Sequence, residues 1–248
     1  ERLQGFASHL SAAESKVEVV ATIDHNATAG IIRTAKESLA TIVLLGWPQT
    51  AGLIEKVIGN KVDSVVYNIE KTIFICSFAQ PLVSHQLIIV AIPPLAELEQ
   101  GFMVWVTKIF QFAAELGIGI GFYCANPTKK AIEQIKSLKV GTRKVFFVEF
   151  LAWENILALS KNIRKDDILV LISARKGSVS YLNTLDHLPS KIEKQFEHYS
   201  RIILFPQQHH VIYENDRYKD IDAEPLLRGV ETLNRLGKGV GGFFKKTE

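Results

Sequence analysis

ILVLISARKGSVSY, residues 168–181, passes from five apolar residues straight into two cations, a glycine and three serines. The apolar run has the length and composition of a buried strand, and the polar residues after it precede a helical pattern around 184–198. A loop that leaves the C-terminal end of a parallel strand and enters a helix is where anions meet free backbone N–H groups. Ser173, Arg175, Lys176, Gly177 and Ser178 are therefore candidates for holding a phosphate or a carboxylate. A solvated polar turn is the plain alternative.

The same alternation continues outward. LIIVAI (87–92), IGIGFYC, KVFFVEF, ILVLI and RIILF read as strands. ELEQGFMVWVTKIFQFAAEL (97–116), PTKKAIEQIKSL, WENILALSKNI and a segment over 184–198 read as helices between them. Strictly alternating elements of this kind predict an α/β fold, a parallel sheet with helices on both faces.

Residues 1–84 repeat the pattern from its middle. RLQGFASHLSAA reads as helix, VEVVATI (17–23) as strand, ATAGIIRTAKESLA as helix, TIVLLG as strand, LIEKVIGNKVDSVVYNI as helix and TIFICSF as strand. This is the second half of the later unit, so the expectation is a tandem pair: a partial, N-terminally truncated unit at 1–84, a complete one at 85–206 and a polar tail at 207–248. In such sheets the first strand lies centrally. Its absence predicts either that the remaining strands close up on the second unit or that another chain, in a dimer, covers the gap.

Composition narrows the function. An apolar share of 47% and a charged share of 22% suit a folded α/β protein. The net charge of +3, from 29 cations and 26 anions dispersed along the chain, gives no basic stripe, which weighs against nucleic acid. The longest apolar stretch stops at Pro93 and Pro94, too short to span a bilayer, and the N-terminus lacks a secretion signal. Cys76 and Cys124 sit in strand-like runs and read as buried reduced thiols in a cytosolic setting. The glycines of GIGIG (117–121) fall before and within a strand, so they read as structural rather than as a dinucleotide fingerprint. Adjacent His209 and His210 point opposite ways in an extended segment and make a poor metal site. Asp166 and Asp167 precede a strand and read as turn residues. No catalytic set emerges, and the expectation is a protein that is not an enzyme.

The tandem arrangement, with DHNATAGIIRTAKE and TIVLLGWPQTAGLIEKVIGN, resembles the universal stress protein superfamily. The resemblance implies Rossmann-like units and an adenine nucleotide ligand, held in the first unit by Gly46, Gly52, Gly59 and Asn60. Gln49 stands where the family's loop has its middle glycine, and Asn60 where it has a hydroxyl; a side chain at the former crowds a phosphate. In the second unit the loop keeps only Gly177.

A closer resemblance is to the cytosolic C-terminal region of bacterial monovalent cation:proton antiporters of the antiporter-2 family. It is carried by GIIRTAKES, by LIIVAIPPLAELEQGF with Trp105 and Lys108, and by SARKGSVSY with DHLP, and it covers residues 1 to about 206. It implies a regulatory domain at the cytoplasmic face of the membrane. Its partners would be the transmembrane antiporter domain of the same polypeptide, a second copy in a homodimer, and a small-molecule effector. A free-standing tandem stress protein that binds ATP or AMP is the alternative.

Overall fold

Seven short runs rich in Val, Ile, Leu and Phe form seven strands in one sheet: β1 (Ile42–Gly46), β2 (Thr72–Ser77), β3 (Leu87–Ala91), β4 (Gly119–Cys124), β5 (Val145–Glu149), β6 (Asp167–Ile172) and β7 (Ser200–Phe205). The helices are α1 (Ala27–Glu37), α2 (Glu55–Asn68), α3 (Phe102–Leu116), α4 (Asn126–Ser137) and α5 (Leu188–Glu193). This computed structural model describes residues 19–47, 55–137, 144–186, 188–193 and 195–208. All of these belong to the unit that falls within 1–210. Residues 211–248, the expected helix over 2–13, His209 and His210 all lie outside the described residues.

The spatial order is β1-β2-β7-β6-β3-β4-β5. Every neighbouring pair is parallel except β2 and β7, which run antiparallel with Ile73 opposite Phe205 and Ser77 opposite Arg201. The segment from β3 to β7 thus has the order third, second, first, fourth, fifth. β1 and β2 stand as the fourth and fifth strands of the earlier unit. Fifth strand meets fifth strand, so the strands of 1–84 and 85–206 share one continuous sheet rather than two.

Two apolar layers cover this sheet. On one face α3 and α4 bury Trp105, Ile109 and Ile132 against Ile88, Val90 and Phe122. On the other, Val62, Val65 and Val66 of α2, with Leu188 and Ile192 of α5, cover Ile75, Leu169 and Ile203. β3, β6 and β7 are buried on both sides, as continuous apolar runs require.

The expected strand at 17–23 does not form: residues 19–24 carry no strand, and Ile23 is 98% exposed. In the observed strand order a third strand reaches the sheet only across a second and a first, and the described residues supply neither on that side. A second correction concerns WENILALSK, where the helix is a 3-10 helix over Trp153–Lys161. Three residues per turn aligns Trp153, Ile156 and Leu159 on one buried stripe. The segment over 184–198 divides into a 3-10 turn, Asn183–Leu185, and α5, with Pro189 in its first turn.

Candidate functional site

The loop after β6 is set by backbone geometry. Ser178 N–H closes a turn onto the carbonyl of Arg175 at 3.1 Å, and Gly177 sits at φ +86°, a left-handed conformation that suits glycine. The turn sends its two cations in opposite directions. Lys176 projects into solvent, its Nζ 3.6 Å from Asp186 Oδ2. Arg175 turns inward and is 3% exposed.

There its guanidinium meets main-chain carbonyls only. Nε donates to Val66 O at 2.9 Å, and Nη2 to Ile69 O at 2.7 Å and Lys71 O at 2.8 Å. Nη1 donates to Pro206 O, and the Arg175 backbone N–H donates to Gln208 Oε1 at 2.9 Å. The last turn of any helix leaves carbonyls without intrahelical partners, and it carries partial negative charge. Arg175 supplies both needs at the end of α2. Burial lowers its pKa to about 10, against the opposing pull of Glu70 and Glu99.

The neighbouring strand end is closed as well. Glu99, in the turn after β3, accepts from Ser180 N at 2.9 Å and from Ser180 Oγ at 2.6 Å. Glu97 accepts from Thr128 Oγ1 at 2.7 Å, and Trp153 donates its indole N–H to Ile92 O at 3.3 Å. The ends of β3 and β6 flank the point where strand order reverses, the usual ligand crevice of an open α/β sheet. Here it holds a buried serine, a buried tryptophan and a clasping carboxylate. Ser173 is fully buried in the same place, and Ser178 is half-buried. Beside the loop, burial and then the Asp186 carboxylate push the Tyr181 phenol up to about 12.

The corresponding loop of the first half starts at Gly46 and Trp47. Trp47 N–H donates to Cys76 O at 2.7 Å, which continues the β1–β2 ladder by one residue. Its ring then receives Arg201, whose guanidinium carbon lies 4.4 Å from the ring centroid. Arg201 Nη1 donates to Phe196 O at 2.7 Å and Glu197 O at 3.1 Å, just beyond α5. Gly59 and Asn60 lie inside α2 rather than at its first turn. Gln49 and Gly52 lie outside the described residues.

Eight sequence-chosen residues are thus placed, and they do not converge. Gly46, Gly59 and Asn60 belong to the first half; Ser173, Arg175, Lys176, Gly177 and Ser178 cluster in the second, with Arg175 turned away from solvent. Sequence reasoning passed over Trp47, Arg201 and Glu99. A buried arginine inside an otherwise apolar strand, SRIILF, was the available signal for Arg201. Cys76 and Cys124 are both buried and unpaired, and burial raises their thiol pKa values to about 11 and about 12.

Among solved structures, a putative universal stress protein from Pseudomonas aeruginosa UCBPP-PA14 superposes with a TM-score of 0.56 at 9% identity, covering 83% of this chain and 78% of its own. A universal stress protein from Archaeoglobus fulgidus DSM 4304 gives 0.51 at 14%, covering 83% and 74%. The fold is that of the universal stress proteins. The cytoplasmic domain of a prokaryotic cation chloride cotransporter has it too, with a TM-score of 0.54 at 15% identity over 84% of this chain and 80% of that one. No family model and no curated protein matches the sequence. Among the described residues no helix is long and apolar enough to cross a membrane.

Proposed function

We propose that this chain is a regulatory and interaction domain of a membrane cation transporter, specifically a cation:proton antiporter, working at the cytoplasmic face of the membrane on the transport domain of the same polypeptide. The observation that carries the reading is the commitment of Arg175. The cation best placed by sequence to meet a phosphate donates instead to four carbonyls, and Arg201 with Trp47 makes a second fastening at the opposite end of the sheet. Both loop positions join the two halves of the domain. The likeness to the cytoplasmic domain of a cation chloride cotransporter supports the same reading.

Such a domain acts by differing in interaction free energy between two states of the transporter, without chemistry of its own. What remains exposed at the second loop is Lys176, Gly177 and Val179, one cation beside an apolar side chain, enough for an effector's anionic group but not for a triphosphate cradle.

Two measurements test this. Titration calorimetry with ATP, ADP and AMP should give no binding in the micromolar range; tight ATP binding abolished by Lys176→Ala would replace the reading with that of a nucleotide-binding stress protein. In proteoliposomes the natural polypeptide should exchange a monovalent cation for protons, and Arg175→Ala should shift the rate or its pH dependence. Absence of exchange sinks the transporter assignment.

A further inference from the structure

Five apolar side chains stand exposed around the C-terminal ends of β3, β5 and β6: Leu95, Leu98, Met103, Leu151 and Val179. Hydrogen bonds hold them side by side. Glu99, next to Leu98, accepts from the N–H and Oγ of Ser180, next to Val179, at 2.9 and 2.6 Å. Phe102 N–H donates to Glu99 O at 3.0 Å, which sets Met103 beside the same turn. The Trp153 indole bond to Ile92 O brings Leu151 to the end of β3, where Leu95 follows three residues on. Single exposed leucines need no explanation, but a contiguous apolar patch marks a contact surface.

Leu95 adds a second observation. Its φ of +66° lies in the left-handed region, where a residue with a side chain is strained and glycine is not. No burial offsets that strain, for the side chain is 45% exposed. A backbone held in this way, with its apolar side chain outward, belongs to a surface that something covers.

The charges around the patch say what covers it. On the β6 side, Lys176 Nζ lies 3.6 Å from Asp186, beyond hydrogen-bond length, and that carboxylate already accepts the Tyr181 hydroxyl. Lys176 therefore keeps its donors for another anion. On the β5 side, Glu149 and Glu154 are exposed and make no ion pair among the described residues. β6 and β5 are three strand spacings apart, about 14 Å, with β3 and β4 between them. A cation at one end of an apolar patch and carboxylates at the other make it complementary to itself after a half-turn. An apolar centre with a polar rim is also the anatomy of a protein contact.

We propose that this patch is the contact between two copies of the chain, related by a two-fold axis that passes beside Leu95 and Leu98. Lys176 of each copy meets the partner's Glu154, and the five apolar side chains close against their equivalents. The contact does not depend on which protein the domain regulates.

Sedimentation velocity on residues 1–248 tests this. The chain should be dimeric at about 100 μM and dissociate on dilution. Leu98→Asp should weaken association by about 30-fold or more. Lys176→Glu and Glu154→Lys should each weaken it by about tenfold, while the two together restore it, since the reversed charges then meet across the axis. A chain that stays monomeric at about 500 μM overturns the proposal. So does association that survives Leu98→Asp unchanged, or a double variant no tighter than the single ones.

Discussion

The Arg201 guanidinium lies 4.4 Å from the centre of the Trp47 ring, across the antiparallel seam between β2 and β7. The stack joins the loop that leaves β1 to the strand that ends the second half. Arg201 is 4% exposed, and desolvation pulls its pKa down while Glu193 and Glu197 oppose the shift. A desolvated cation on an indole face is worth about 2 kcal/mol. A double-mutant cycle of Trp47→Leu and Arg201→Met in urea should therefore return a coupling of about 1–2 kcal/mol. Additive single effects would mean that the two residues merely adjoin.

Arg175→Ala should lower stability by about 3 kcal/mol or more, because it strands four buried carbonyls at the α2 end and beside β7. Lys176→Ala, one residue on and in solvent, should stay within about 0.5 kcal/mol. Arg175→Lys should recover little, since an ammonium cannot reach carbonyls spread as the guanidinium reaches them. Equal, small effects at 175 and 176 would contradict the fastening role. Chemical denaturation of the three variants decides it.

How far the sequence reveals this fold depends on what each residue answers to. Runs such as LIIVAI and ILVLI, and the stripe through Val106, Ile109 and Ala113, answer to burial next to them in the chain, and they read correctly. Arg175 answers to Val66, Ile69 and Lys71, which lie 109, 106 and 104 residues away. Those partners are carbonyl oxygens, present at every residue and marked by none. A cation and a glycine after a strand look the same whether they face a phosphate or a helix end. VVATI fails for the opposite reason: its composition suits a strand, but a strand needs a neighbour.

Gly101 and Gly121 should part company on substitution by alanine. A Cβ at Gly101 would stand 2.5 Å from Gln207 N and 2.8 Å from Gln207 O, both backbone and already tied by the Gly101 N–H bond to Gln207 O. At Gly121 the obstacle is the tip of the Phe146 ring, 2.4 Å away on a half-buried side chain that can swing. Thermal melts should show Gly101→Ala losing about 2–3 kcal/mol and Gly121→Ala losing less. The reverse order would mean that the Gln207 backbone yields more readily than the ring.

Asp167 gives a pH dependence of definite sign. Burial raises its carboxyl pKa above the ordinary value near 3.8, and Asp166 adds to this against the Arg164 N–H bond and the charges of Arg164 and His85. The folded state holds this proton more tightly than the unfolded chain. Its contribution to stability is therefore complete below the unfolded pKa and is lost as pH rises through the folded one. Asp167→Asn keeps an acceptor for Arg164 N–H. Relative to wild type it should gain stability as pH rises from the ordinary carboxylate range through the raised folded-state value. A pH-independent difference in urea midpoints would show the carboxyl to be unshifted.

The antiparallel seam has a geometric consequence. Because β2 and β7 run in opposite senses, the loops after β1 and β6 emerge at opposite ends of the sheet, about 20 Å apart for strands of six residues. Between those two ends lie five facing residue pairs, from Ile73 with Phe205 to Ser77 with Arg201. A buried arginine sits at each end of that span. The seam is thus fastened from opposite ends, and each fastening ties residues of the first half to residues of the second.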